Sequence, residues 1–116
     1  LSIWQQNLNK SLNAQLDLLN SLDPRKYDIV AVQEPWLDKL GRMRASGKWE
    51  VVYPTRHTDK PGKIRSILFI SKNISTDSWT DIDTGMQGIS AIHLRHDNGD
   101  IDIFNVYNDC SHSQAL

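Results

Sequence analysis

The 116-residue chain has a single cysteine, Cys110, which excludes an internal disulfide and leaves no zinc-ligand pattern. Nowhere does an apolar run approach the ~18 residues of a membrane span, and no segment reads as a secretory signal. Glycine-rich phosphate loops are missing, as are serine and cysteine nucleophile motifs. There is no internal repeat and no low-complexity stretch. Net charge of either sign is almost absent: the balance is −1 at pH 7, so the total points neither to nucleic acid nor to a membrane. The chain has no initiator Met, starts inside what reads as a strand, and stops at Ser113-Gln114-Ala115-Leu116. Both ends are therefore expected to be cuts.

What is present suits one domain with a real core: 39% of residues are hydrophobic and 23% charged. The charges are segregated. Residues 39–65 carry Lys39, Arg42, Arg44, Lys48, Arg56, Lys60, Lys63 and Arg65 against only Glu50 and Asp59. From Asn73 onward seven acids face one arginine, Arg95. The basic middle is either solvated loop or a surface that meets phosphates.

The most informative stretch is Tyr27 to Trp36. Ile29 to Val32 is a short β-branched run, which predicts a strand covered on both faces. It ends at Gln33, Glu34 and Pro35; proline gives no N–H to a ladder and restricts the residue before it, so Glu34 is expected to be extended. A carboxylate thus stands at the carboxyl end of a buried strand, where α/β sheets bind ligands. The alternative is a solvated strand-end glutamate. Leu1 to Asn7 predicts a first strand, and Ser11 caps a helix over about 12–22, where leucines recur at helical spacing. Asp23-Pro24 ends it. Strand, helix, strand predicts a βαβ unit with parallel strands. Asn7 and Glu34 then share one sheet edge.

Beyond this unit, residues 37–48 read as a loop with a helical turn. Strands are predicted at Trp49–Tyr53, Arg65–Ser71, near Ser78–Asp81, at Gly88–His96 and at Ile101–Tyr107. Asn98-Gly99 marks a hairpin between the last two. A helix could begin at Ser111.

Magnesium takes oxygen ligands, often one or two carboxylates with waters. Glu34 with the amide oxygen of Asn7 would make half of such a site, although a strand-end Asn often bonds its own backbone. Tyr107 could bond a phosphate oxygen or be a half-buried packing residue. Among His57, His93, His96 and His112, the pair at 93 and 96 would face opposite sides of a strand, so no shared metal is expected.

Ile3-Trp4-Gln5-Gln6-Asn7-Leu8-Asn9, Asp28 to Trp36 and Ile103-Phe104-Asn105-Val106-Tyr107-Asn108-Asp109 resemble the endonuclease/exonuclease/phosphatase family. In particular they look like the apurinic-type endonuclease domain of non-LTR (LINE-like) retrotransposons. The resemblance implies a four-layer α/β sandwich, of which residues 1–116 would be the amino-terminal half, a partial domain truncated at its carboxyl end. It implies a Mg²⁺-dependent DNA endonuclease, with Mn²⁺ as an alternative cation. Carried over, Glu34 and Asn7 correspond to metal-site residues, and Asn7 and Tyr107 to catalytic ones. Arg56, Lys60, Lys63, Arg65 and Asn108 are the expected DNA contacts.

The family places a proline and an asparagine two and three residues after the tyrosine, where this chain has Asp109 and Cys110. Its Gly-Asp-Phe-Asn motif and final Asp-His pair have no counterpart, so the fragment alone is expected to be inactive. DNA is the implied partner, with no membrane and a downstream reverse transcriptase in the complete protein. The implied location is intracellular, in the nucleus. Two alternatives remain: the same fold acting on a phospholipid or inositol phosphate, and a catalytically dead nucleic-acid-binding fragment.

Overall fold

The computed structural model describes residues 1–37, 47–55 and 64–108. β1 (Ile3–Asn7) leads into α1 (Leu12–Ser21), and β2 (Ile29–Gln33) returns parallel to β1, in register from Ile3 with Ile29 to Asn7 with Gln33. This is the expected βαβ unit. The Ser11 hydroxyl caps the helix by accepting the Ala14 N–H at 3.1 Å, and the Leu22 N–H closes it on the Leu18 carbonyl. β4 (Ser66–Ser71) runs antiparallel to β2 and carries β3 (Trp49–Val52) on its other side. The first sheet therefore has the order β1-β2-β4-β3.

A short 3₁₀ turn (Thr76–Ser78) opens the second sheet, an antiparallel meander of β5 (Trp79–Ile82), β6 (Ile89–Leu94) and β7 (Ile101–Val106). The Asn98-Gly99 signal does mark the β6–β7 hairpin. Its loop is longer than a two-residue turn: the Gly99 N–H bonds the His96 carbonyl at 3.0 Å, with Gly99 at φ 127°. Glycine accepts that conformation where a side chain would be strained.

Alternation sorts the strand residues into two cores. Val30, Val32, Ile67 and Phe69 face α1 and pack with Leu18, Leu19, Leu22 and Trp49. Ile29, Ala31, Leu68 and Ile70 face the second sheet and meet Ile92, with Trp79 and Ile103 at the border. Every residue of β2 and β4 is buried, as the apolar run of β2 implied. Helix, sheet and sheet make three layers among the described residues, and a fourth is not among them. The expected helical turn within 37–48 falls mainly on residues 38–46, outside the described residues, as do residues 56–63 and the tail from Asp109.

Candidate functional site at the carboxyl end of β2

The interface between the sheets changes character along β2. At its start the inward side chains are Ile29 and Ala31. At its end the inward residue is Gln33, and its neighbours on the same face are Gln5 of β1 and Ser66 of β4. Opposite them on the second sheet stand Ser90 and Asn105. These amides and hydroxyls bond one another. Gln5 Nε2 donates to Gln33 Oε1, and Gln33 Nε2 donates to Asn105 Oδ1. Asn105 Nδ2 donates to the carbonyls of Val32 at 2.9 Å and Ile67 at 2.8 Å. Ser66 Oγ donates to the Asn105 carbonyl at 2.6 Å. That uses the only Ser66 hydroxyl proton, so the Ser90 hydroxyl must donate in the 2.7 Å contact between the two.

Just outside this layer, the ends of β2 and β7 converge. The Tyr107 hydroxyl donates to Glu34 Oε1 at 2.9 Å, joining residues 73 positions apart in sequence. Glu34 follows β2 and Tyr107 follows β7, so this bond spans the two sheets. The backbone around it is tied from all sides. The Glu34 N–H bonds the Arg65 carbonyl and the Arg65 N–H bonds the Gln87 carbonyl, each at 2.8 Å. The Tyr107 N–H bonds the Gly88 carbonyl, and the Lys10 N–H bonds the Glu34 carbonyl, also at 2.8 Å.

Glu34 departs from the extended conformation that a following proline favours. It lies at φ 51°, in the left-handed region. Its N–H and carbonyl are claimed by Arg65 and Lys10 in directions an extended residue would not serve. Such a conformation costs a non-glycine residue about 1–3 kcal/mol and persists where the surroundings over-determine it. Asn9 and Lys10, in the facing turn, also have positive φ, at 51° and 60°.

The other sequence candidates divide. Asn7 ends β1 beside Gln33, on the same edge as Glu34. Its Oδ1 accepts the Asn9 N–H at 2.9 Å, so the local turn uses one lone pair of that oxygen. Arg65 adjoins Glu34 through the backbone, and Asn108 is exposed just beyond Tyr107. Arg56, Lys60 and Lys63 lie outside the described residues. Among the described residues no cluster of three or more His, Cys, Asp or Glu could hold a metal. Among the described residues, Glu34 supplies a carboxylate at this edge and Asn7 an amide oxygen. They suit a hard cation such as Mg²⁺ in kind, and such ions keep waters where the protein supplies few ligands.

Three residues to which the sequence assigns no role take part in the structure here: Gln33, Asn105 and Gln15. Gln15 is fully buried on α1, accepts the Trp36 N–H at 2.8 Å and donates to the Trp36 carbonyl at 3.2 Å. It thereby fixes the chain just after Glu34-Pro35. A polar residue on the buried face of a leucine-rich helix was the available signal. His93 is engaged by carboxylates of its own hairpin. His93 Nδ1 meets Asp102 Oδ1 at 2.5 Å and Nε2 meets Asp100 Oδ2 at 3.2 Å, away from this edge.

Neither family models nor curated proteins match the chain. Among solved structures it is similar to the endonuclease domain of TRAS1, a telomere-specific non-LTR retrotransposon, with a TM-score of 0.68 and 16% identity. The chain has the fold of part of that domain. The match covers 92% of this chain and 44% of the TRAS1 domain, so the chain spans less than half the neighbour's length. At such low identity the likeness concerns fold, and the chemistry has to be argued from the residues at the edge.

Proposed function

We propose that this chain is part of a metal-dependent DNA endonuclease of the endonuclease/exonuclease/phosphatase type, built as a four-layer sandwich in its complete form. The observation that carries the reading is the Tyr107–Glu34 bond. It sets a carboxylate and a phenol side by side, at one edge of two packed sheets, on a fold shared with a retrotransposon endonuclease domain. In this reading Glu34, with Asn7 beside it, holds Mg²⁺ or Mn²⁺, and Tyr107 contacts the scissile phosphate. Arg65 and Asn108 border the DNA, with Arg56, Lys60 and Lys63 on the same basic segment. When bound, the cation supplies charge stabilisation to the phosphate during in-line attack by water. DNA as partner, a downstream reverse transcriptase and action in the nucleus belong to the same proposal, as does inactivity of the 116 residues alone.

The test is Mg²⁺-dependent nicking of supercoiled plasmid by the natural full-length protein, with Glu34→Gln beside wild type. The substitution keeps size and hydrogen bonding but removes the charge a cation needs. Expected is near-complete loss of nicking with little change in thermal unfolding. A fully active Glu34→Gln protein overturns the metal-site reading. Hydrolysis of inositol phosphates without nicking would move the substrate, and DNA retention without cleavage would leave a binding module.

A further inference from the structure

We propose that Gln33 and Asn105 are positioning residues: their buried amide clasp holds the ends of β2 and β7 at the separation that keeps Glu34 and Tyr107 in contact. The kinetic part of this rests on the endonuclease reading; the geometric part does not. Gln33 immediately precedes Glu34, and Asn105 stands two residues before Tyr107. Each is nearly inaccessible, at 7% and 4% exposure. Elsewhere the sheets meet through apolar side chains, whose attraction is non-directional. At the site end they meet through directional bonds.

Asn105 alone reaches three groups of the first sheet with its side chain: its Oδ1 accepts from Gln33 Nε2, and its Nδ2 donates to the Val32 and Ile67 carbonyls. Its own carbonyl takes a fourth bond, from Ser66. All of its side-chain donors and its acceptor are thereby engaged across the gap, leaving no second orientation of equal energy. Gln5, on the exposed edge strand, fixes the Gln33 amide from the other side by donating to Oε1. A relay of this kind transmits a sheet displacement directly to the two residues that follow it. Nothing of the sort is needed for burial, because the other end of the interface packs without any polar group among Ile29, Leu68, Ile70 and Ile92.

The test uses the natural full-length protein with ¹³C-labelled tyrosine, the Tyr107 Cζ signal being assigned by its loss in Tyr107→Phe. Gln33→Met keeps length and removes both amide bonds. The expected result is a Tyr107 signal shifted toward its position in Glu34→Ala, where the acceptor of its hydroxyl is gone. In the kinetic arm kcat falls roughly 10- to 100-fold, the range for residues that orient a metal-site ligand. KM for DNA stays within about twofold, because substrate binding surfaces are untouched. A Tyr107 signal superimposed on wild type in Gln33→Met overturns the proposal, even if the enzyme reading stands. Should wild type fail to nick, the endonuclease reading falls and the tyrosine signal still decides the clasp. Should Gln33→Met fail to fold, Gln5→Ala decides it: the residue is exposed on an edge strand, and its loss should displace or broaden the Tyr107 signal. An unchanged signal there overturns the proposal.

Discussion

At the residue scale, Glu34 carries a conflict between backbone and side chain. Its left-handed φ suits glycine, while its carboxylate meets Tyr107. Glu34→Gly should therefore hold stability level or raise it by up to about 1–3 kcal/mol through relief of that strain, while removing the carboxylate and with it any nicking. Chemical denaturation beside the plasmid assay checks both; a clear loss of stability would show that the Tyr107 bond outweighs the strain. His93 gives the pH-dependent counterpart. Hydrogen bonding to Asp102 first, then to Asp100, raises its pKa above 6.5. A raised folded-state value means the bridge contributes stability fully below about pH 6.5, the unfolded value, and loses it as pH climbs through the folded value. Histidine NMR should find the His93 midpoint above that of an unperturbed imidazole, and lower in Asp102→Asn. Equal midpoints in the two proteins would mean that the bridge is absent in solution.

At the element scale, α1 is a short helix whose ends are held by particular groups. It has no acidic residue in its first turn and no basic one in its last, so the macrodipole receives no side-chain help. The Ser11 hydroxyl is then its main terminal support, and Ser11→Ala should cost about 0.5–2 kcal/mol in urea unfolding. A silent Ser11→Ala would show that packing of Leu18 and Leu19 alone holds the helix. β4 sits between β2 and β3 and is buried throughout. Phe69, fully buried among Val30, Leu19 and Trp49, is its largest side chain, and Phe69→Ala should cost about 3–5 kcal/mol. Such a loss is a large share of the roughly 5–15 kcal/mol usual for a folded domain.

At the scale of the whole molecule, the outer face of the second sheet carries exposed apolar side chains among the described residues. Phe104 and Val106 of β7 are each 56% exposed, and they lie opposite Ala91 and Ile89 of β6. Apolar area of this kind beside an edge strand favours self-association. Phe104→Lys places a charge in the middle of it without touching the inward-facing Asn105. The fraction of monomer in sedimentation velocity should rise in that variant; no change would place the association elsewhere, for instance on the β1 edge.

The elements were legible because each rests on local physics. The β-branched run of Ile29 to Val32, the leucine spacing after Ser11 and the Asn98-Gly99 turn all state their structure within a few residues. The parallel βαβ unit followed from chain connectivity, and with it the shared edge of Asn7 and Glu34. The carboxylate at the strand end was legible too, since proline cannot donate to the ladder of a buried strand. Only the tertiary structure decided how the two sheets face each other, because that depends on which buried polar groups find partners across the gap. Gln33 and Asn105 are 72 residues apart, and each looks ordinary in its own strand. The left-handed turn at Glu34 likewise came from bonds to Arg65 and Lys10, which overrode the local preference for an extended residue before proline. The chain fixes its strands through side-chain pattern over short range; the clasp, and the meeting of Glu34 with Tyr107, arise from hydrogen bonds that exist only once both sheets have packed.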